Sequence, residues 1–314
     1  MSSKIIIGTR GSALALWQTY WIQNKLQKLA PECRFEVKHI KTSGDKILDA
    51  PLAQIGGKGL FVKELELALL NGEIDLAVHS MKDMPTVLPD GLTIGAITER
   101  ADPSDALVSH KGLKFTDLPL NAKVGTSSLR RRAQLLYSRP DLNIYNLRGN
   151  LDTRIAKLKN EGFDAIVLAT AGVQRLGFDE LITERLPYEI CLPAVGQGAI
   201  GVEVRTEWAK GQEGKEAREL LELVTKINHF ESAMSVTAER AMLTELGGGC
   251  QVPIAALGRV LNGKLNLEGL VAAVDGSRIV RASVRGELSD ADALGEQLAK
   301  NLLDIGAESI LNKT

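Results

Sequence analysis

Cysteine is scarce: Cys33, Cys191 and Cys250 are the only three in 314 residues, an odd number with no CxxC spacing. That argues against a disulfide framework and against a thiolate zinc site. The four histidines, at 39, 79, 110 and 229, form no HExxH or other ligand pattern, so no metal site is expected. Proline is also sparse, 10 against 30 glycines, so tight turns are plentiful and rigid linkers are few. Neither sign of charge dominates: 38 Lys+Arg face 39 Asp+Glu, and aromatics are only 4%. A nucleic-acid surface needs a commanding basic field, so none is expected. No apolar run approaches the ~18 residues of a membrane span, and the stretch at Ile5-Ile6-Ile7 is short for a signal peptide. A soluble cytoplasmic protein with no membrane partner is the expectation. With 44% apolar and 25% charged residues the composition is that of an ordinary globular chain, not a disordered or collagenous one. The length suits about two or three domains.

The first two thirds alternate strand and helix signals. Lys4–Gly8 reads as a buried strand. Ser12 is placed to cap a helix to about Leu29, which Pro31 ends. Arg34–Lys41 alternates as a strand, Phe61–Leu70 has helical spacing stopped by Asn71-Gly72, and Ile74–Val78 is a second buried strand. Such alternation points to an α/β fold with a mainly parallel sheet. The pattern then repeats. Gly8-Thr9-Arg10-Gly11-Ser12 follows a strand and opens a helix, and Gly125-Thr126-Ser127-Ser128 does so again. Each half continues with a glycine, an aspartate and an apolar strand: Gly72 and Asp75 before Leu76-Ala77-Val78, Gly162 and Asp164 before Ala165–Leu168. Two similar lobes with a ligand cleft at the strand ends are expected, although strand-Gly-Thr-helix turns also recur in unrelated α/β proteins. The last third differs. Glu213–Leu246 is mostly helical. Three strands follow, Gln251–Val260, Leu265–Val274 and Arg278–Val284, joined by the hairpin signals Asn262-Gly263 and Asp275-Gly276, and a helix runs over about Asp290–Leu303.

The even overall balance hides a local excess. Residues 121–160 carry nine Lys/Arg and two Asp. Arg130, Arg131 and Arg132 fall in the first turn of a helix that Ser127 or Ser128 would cap, where the dipole is already positive. Such a cluster predicts a resident anion, held by backbone amides, hydroxyls and guanidinium forks; the competing reading is a solvated basic face. His79 to Pro85 follows a buried strand, where α/β proteins place ligand-facing residues. Asp83 is the best acid–base candidate there, or else a turn cap before Pro85; His79 reads as a core histidine. The long segment 42–59, with Gly56, Gly57 and Gly59 around Lys58, reads as a lid or a disordered loop and lacks the P-loop spacing. Cys250 sits on a triple-glycine loop with no histidine nearby. It reads as a covalent attachment point more than as a protease nucleophile.

Seven segments in order resemble the porphobilinogen deaminase (hydroxymethylbilane synthase) family: GTRGSALALWQ at 8–18, GGKGLFVKELE at 56–66, DLAVHSMKDMP at 75–85, GTSSLRRRAQL at 125–135, NLRGNLDTR at 146–154, LPAVGQGAIG at 192–201 and GGGCQVP at 247–253. The resemblance covers essentially the whole chain. It implies an α/β fold with two lobes like those of periplasmic binding proteins, a cleft between them, and a C-terminal α+β domain with a three-stranded antiparallel sheet. The implied domains are 1–99 with 199–216, 104–193, and 222–314. It further implies a transferase of porphyrin biosynthesis. Four porphobilinogen molecules condense, each releasing ammonia, onto a dipyrromethane cofactor joined to Cys250 by a thioether. Hydrolysis then frees hydroxymethylbilane.

Carried over residue by residue, the resemblance makes Asp83 catalytic. It assigns Lys82, Asp83, Thr126, Ser127, Ser128, Arg130 and Arg131 to the cofactor with Cys250. Arg10, Ser12, Phe61, Arg148, Arg154, Arg175 and Gln197 go to the substrate, and Lys58 to the lid. Each pyrrole ring carries an acetate and a propionate, which suits arginine forks. A carboxylate beside the electron-poor methylene left by loss of ammonia lowers the barrier and can move pyrrole protons. Gln54 stands where some bacterial members have Lys, and Gly11 where Gln is common. The implied partner is the small molecule porphobilinogen, the implied state a monomer. A solute-binding module on the same scaffold would explain the arginines but neither Asp83 nor a cysteine on a triple-glycine loop.

Overall fold

Short apolar runs closed by Gly or Asp become the strands of two five-stranded sheets, and the Asn-Gly and Asp-Gly turns fold a third, three-stranded one. The computed structural model describes residues 4–46, 59, 61–209, 214–248 and 252–312. Residues 47–58 of the expected lid, with Gln54 and Lys58, lie outside these, as does Cys250.

The first lobe begins with β1 (Lys4–Thr9), α1 (Ala13–Leu29), β2 (Arg34–His39), α2 (Ser43–Lys46), α3 (Lys63–Leu70), β3 (Leu76–Ser80) and β4 (Leu92–Ile97). The second lobe holds β5 (Asp105–Ser109), β6 (Lys123–Gly125), α4 (Leu129–Ser138), β7 (Asn143–Tyr145), α5 (Leu151–Asn160), β8 (Ala165–Ala169), α6 (Thr170–Arg175) and β9 (Glu184–Arg185). The chain then returns to the first lobe with β10 (Ile200–Arg205), α7 (Thr206–Ala209) and α8 (Lys215–Thr225). The C-terminal part comprises α9 (Phe230–Glu245), β11 (Ile254–Leu261), β12 (Lys264–Ala272), β13 (Ile279–Gly286), α10 (Ala291–Asp304) and α11 (Glu308–Leu311). Two compact units result. One takes Met1–Asp49, Gly57–Arg100 and Ala199–Ala233; the other takes Ala50–Gly56, Ala101–Gly198 and Met234–Thr314.

The expected repeat is present as topology. The first sheet runs β2-β1-β3-β10-β4 and the second β7-β6-β8-β5-β9. In each, three parallel strands meet an antiparallel fourth: β10 against β3, β5 against β8. That fourth strand is in both cases the first one after the chain changes unit. The repeated aspartates do equivalent work. Asp75 Oδ2 accepts from Ile6 N at 2.8 Å, and Asp164 Oδ2 accepts from Lys123 N at 2.8 Å. Tying Asp75 back to β1 also delays β3, which starts at Leu76 and not at Ile74. The serine caps repeat as well: Ser12 Oγ accepts from Ala15 N and Ser128 Oγ from Arg131 N, each at 3.3 Å.

Both faces of each sheet are buried, as parallel sheets require. In the first lobe Ile5, Ile7, Leu76, Val78, Val202 and Val204 meet α1 and α8, while Ile74, Ala77 and Leu92 meet Leu65 and Leu69 of α3. In the second, Leu107, Val124 and Val167 take one face, and Val108, Ile166 and Leu168 the other. The expected helical stretch 213–246 is interrupted before α9, because Asn228 Oδ1 accepts from Ile97 N and His229 Nδ1 contacts Ser232 Oγ. In the C-terminal part Leu265, Leu267 and Val271 face α9 and α10, while Leu270 and Ala272 face Ala133 of α4 and Leu192. The hairpin Asn262-Gly263 has φ of 53° and 71° at its two positions, the primed geometry its sequence predicts.

Helix α10 approaches α9 through Gly295, where a Cβ would stand 2.4 Å from Ala238 O and 2.8 Å from Met242 N. Backbone cannot give way as a side-chain end can. At an open helical site Gly→Ala stabilises by about 1 kcal/mol. Here the sign should reverse: Gly295→Ala is expected to destabilise by about 1–3 kcal/mol in urea unfolding. An unchanged or raised midpoint would contradict this packing.

Candidate active site

The first lobe brings four of the expected residues to the C-terminal ends of β1 and β3. Arg10 leaves β1, and its guanidinium carbon lies 4.2 Å from the centre of the Phe61 ring. This cation–π pair unites two residues assigned to substrate from separate segments. Ser12 turns its oxygen inward as the α1 cap. Lys82 and Asp83 sit on the tight turn Met81–Asp83 that follows β3. Lys82 is half-buried and Asp83 exposed, so its carboxylate is available to a ligand. The turn is seated by Met81, 1% exposed, whose sulfur occupies the space where a Cβ on Gly201 would be. Met81 N donates to Ala199 O at 3.0 Å, and Gln18 Nε2 to Ser80 Oγ at 2.8 Å.

In the second unit the Gly125-Thr126-Ser127-Ser128 turn leads into α4. Thr126 Oγ1 accepts from Ser128 N, and Ser127 Oγ donates to Leu147 O. Ser128, not Ser127, is the cap. The resident anion that the arginine cluster demanded is in part the chain's own. Asp105, the first residue of β5, is fully buried. Its Oδ2 accepts from Arg130 Nη1 at 2.7 Å; its Oδ1 accepts from Arg131 Nε and Nη2 at 3.0 and 2.7 Å and from Gln197 Nε2 at 2.9 Å. The Cys191 thiol adds a contact at 3.2 Å. Burial by itself would raise the Asp105 carboxyl, but the two arginine charges and their hydrogen bonds outweigh it and hold the group well below the usual carboxylate range. Burial first, then Asp105, pushes the Cys191 thiol up to about 12, so this cysteine is inert.

Both arginines are further fixed by carbonyls: Arg130 Nη1 donates to Leu192 O, and Arg131 Nη1 to Val167 O. Two guanidinium charges against one carboxylate still leave an excess of one positive charge at a helix N-terminus. Among the described residues Arg130 Nε, Arg132 Nε and Arg148 Nη2 are buried with no hydrogen-bond partner. Such orphan donors are costly unless an acceptor joins them. Arg154, in the first turn of α5, donates to Gly149 O. Arg175 donates to Gly198 O at 2.7 Å, and burial pulls it down to about 10. Gln197 is buried, with Nε2 on Pro103 O, Ser104 O and Asp105. Asp105 escaped the reading of the sequence. Its signal was an acid opening an otherwise apolar strand, Asp105-Ala106-Leu107-Val108.

Removing the Asp105 charge leaves two buried guanidiniums uncompensated. Asp105→Asn should cost about 3–5 kcal/mol in urea unfolding. A depressed carboxyl stabilises fully above its ordinary value of 3.8 and loses that contribution as pH falls toward the lower folded value. The substitution should therefore cost less in acid than at neutral pH. A cost under about 1 kcal/mol at neutral pH would contradict the pairing.

Comparison with known proteins places these groups in context. The family model "Porphobilinogen deaminase, dipyromethane cofactor binding domain" matches residues 5–213, and the model for the porphobilinogen deaminase C-terminal domain matches residues 233–304. A porphobilinogen deaminase of Pelotomaculum thermopropionicum is 55% identical over 313 residues, covering 100% of this chain and 97% of that protein. One of Moorella thermoacetica is 54% identical over 310 residues, covering 99% and 96%. Among solved structures, the Bordetella pertussis BvgS periplasmic VFT2 domain aligns with 15% identity and a TM-score of 0.39 over 72% of this chain and 86% of that one.

Proposed function

The chain belongs to the porphobilinogen deaminase family, and from that premise we propose how its own side chains divide the work. It is a transferase that joins four porphobilinogen molecules with release of ammonia, using a dipyrromethane cofactor, and yields hydroxymethylbilane for porphyrin synthesis. The cofactor supplies the growing end to which pyrrole rings are added.

The donors at the N-terminus of α4 fit such a group. Its pyrroles carry carboxylates, and the buried, unpartnered Arg130 Nε together with the one uncompensated positive charge beside Asp105 calls for another carboxylate. This observation carries the assignment. Asp105 balances one guanidinium; a cofactor carboxylate balances the other. Thr126, Ser127, Ser128, Arg130, Arg131 and Lys82 hold those carboxylates, and Cys250 bears the thioether. In the turn that closes α9, a few residues before that cysteine in the sequence, Gly247 has φ of 62°, which glycine adopts without strain.

Incoming porphobilinogen is held by Arg10, Ser12, Phe61, Arg148, Arg154, Arg175 and Gln197, the arginines taking its acetate and propionate. The stacking of Arg10 on Phe61 and the buried Nη2 of Arg148 support this division. Lys58 is the residue of the 42–59 lid that the family resemblance implies. Asp83, exposed at its turn, stabilises the positive charge that develops on the substrate methylene as ammonia leaves, and takes the proton released at coupling. Residues 1–99 with 199–216, 104–193 and 222–314 act as three domains of a cytoplasmic monomer that needs neither nucleic acid nor membrane. No helix among the described residues is long and apolar enough to cross a membrane.

Asp83→Asn keeps the shape and hydrogen-bonding reach of the side chain and removes its charge. The variant should retain the cofactor by intact mass and lose about 10²–10⁴-fold in turnover of porphobilinogen. Near-normal turnover would remove Asp83 from the catalytic role.

A further inference from the structure

Beneath the Asp83 turn lies a cluster that the reaction as described does not use. His79 of β3, Glu203 of β10 and Glu66 of α3 are all buried, at 5%, 0% and 6% exposure. His79 Nε2 stands 3.0 Å from Glu203 Oε2. Glu203 Oε1 and Glu66 Oε1 are buried with no hydrogen-bond partner among the described residues. The pairing of β10 with β4 shifts register between Val202 and Glu203, an irregularity of the kind that re-aims a side chain. Two residues earlier on the same strand, Gly201 receives Met81 of the catalytic turn. A single strand thus supports the turn from below and holds its root through His79.

The charges do not balance without a proton. Two carboxylates and one imidazole share the site. Of the other elements packed on α3, β4 has no titratable residue, and the only one of β1 is Lys4, paired with Glu36. Arg205 of β10 is directed to Leu69 O and Ile74 O and lies 3.8 Å from Asp75. Burial, and next the Glu203 charge, raise the Glu66 carboxyl above its usual value, while His79 opposes them.

We infer that His79, Glu203 and Glu66 are positioning residues that fix the Met81–Asp83 turn, so that the charge of this buried cluster sets the working geometry of Asp83. The inference rests on the reading of Asp83 as catalytic. His79 and Glu203 join β3 to β10, and with the Glu66 carboxyl protonated the cluster carries one buried negative charge fewer. When the Glu66 proton is lost, a further uncompensated negative charge is buried below the turn.

The test is Glu66→Gln in the cofactor-loaded enzyme, confirmed by intact mass. A carboxyl with a raised folded value favours the folded state below the ordinary 4.5 and loses that contribution as pH rises through the raised value. Glutamine does not titrate. The variant's melting temperature relative to wild type should therefore rise as the pH is taken upward from 4.5. Its KM for porphobilinogen should stay within about twofold, while kcat loses one ionisation step from its pH profile and changes by about tenfold. A purely structural role would move the melting temperature and leave the kcat profile as in wild type; that result overturns the inference, as does a melting difference independent of pH. If Glu66→Gln does not fold, Glu203→Gln is measured in the same way. It also removes one carboxylate from the pair, and persistence of the step would be equally fatal. Failure of the Asp83 reading is separable, since it would show as an active Asp83→Asn variant.

Discussion

A buried carboxylate gripped by two guanidiniums organises the second unit. Asp105 receives both Arg130 and Arg131 at 2.7 Å and has no exposure to solvent. Neither arginine could remain in the first turn of α4 without it, because the helix dipole and the mutual repulsion of the guanidiniums both oppose them there. Once paired, the guanidiniums lose their freedom and reach the carbonyls of Leu192 and Val167. The site is then rigid before any ligand arrives, and a rigid donor loses little entropy on binding. Among the described residues no carboxylate other than Asp105 pairs with these two guanidiniums. The pairing is therefore both a structural device and the origin of an appetite for carboxylates, the groups that pyrrole acetates and propionates supply.

The repeated topology explains why such sites recur at the same place in each lobe. A parallel strand followed by a Gly-Thr or Gly-Thr-Ser turn and a serine-capped helix puts backbone amides and the first side chains of the helix at the strand's C-terminal end. Lobe one uses this position for Arg10 and Ser12, lobe two for Thr126 to Arg131. The antiparallel fourth strand then adds a specialised residue in each case. In lobe two it is Asp105, opening β5; in lobe one it is Glu203, in the middle of β10. Both are fully buried acids facing cations or titratable groups from neighbouring elements.

Much of this was legible in the residues. Alternating strand and helix periods, the Asn262-Gly263 turn and the Gly-Asp echo of Gly72/Asp75 and Gly162/Asp164 gave the architecture, since each is a local signal with a local cause. The arginine run gave the need for an anion. What stayed hidden depends on pairing across the sheet. Asp105 is 25 residues from Arg130, and Glu203 is 124 from His79, so no spacing rule connects them. His79 reads correctly as a satisfied core histidine, but its partner is visible only once β10 lies beside β3. The Gln197 amide nitrogen faces Asp105 and two carbonyls, a partnership that likewise appears only once the chain is folded.

The central claim is that an oligopyrrole is bound covalently through Cys250 while guanidiniums hold its carboxylates. The most direct measurement is the intact mass of the purified protein beside that of Cys250→Ser. The account predicts a wild-type mass above the translated chain by two linked pyrrole units and a serine variant at its chain mass. Equal increments in both proteins, or none in the wild type after incubation with porphobilinogen, would contradict it.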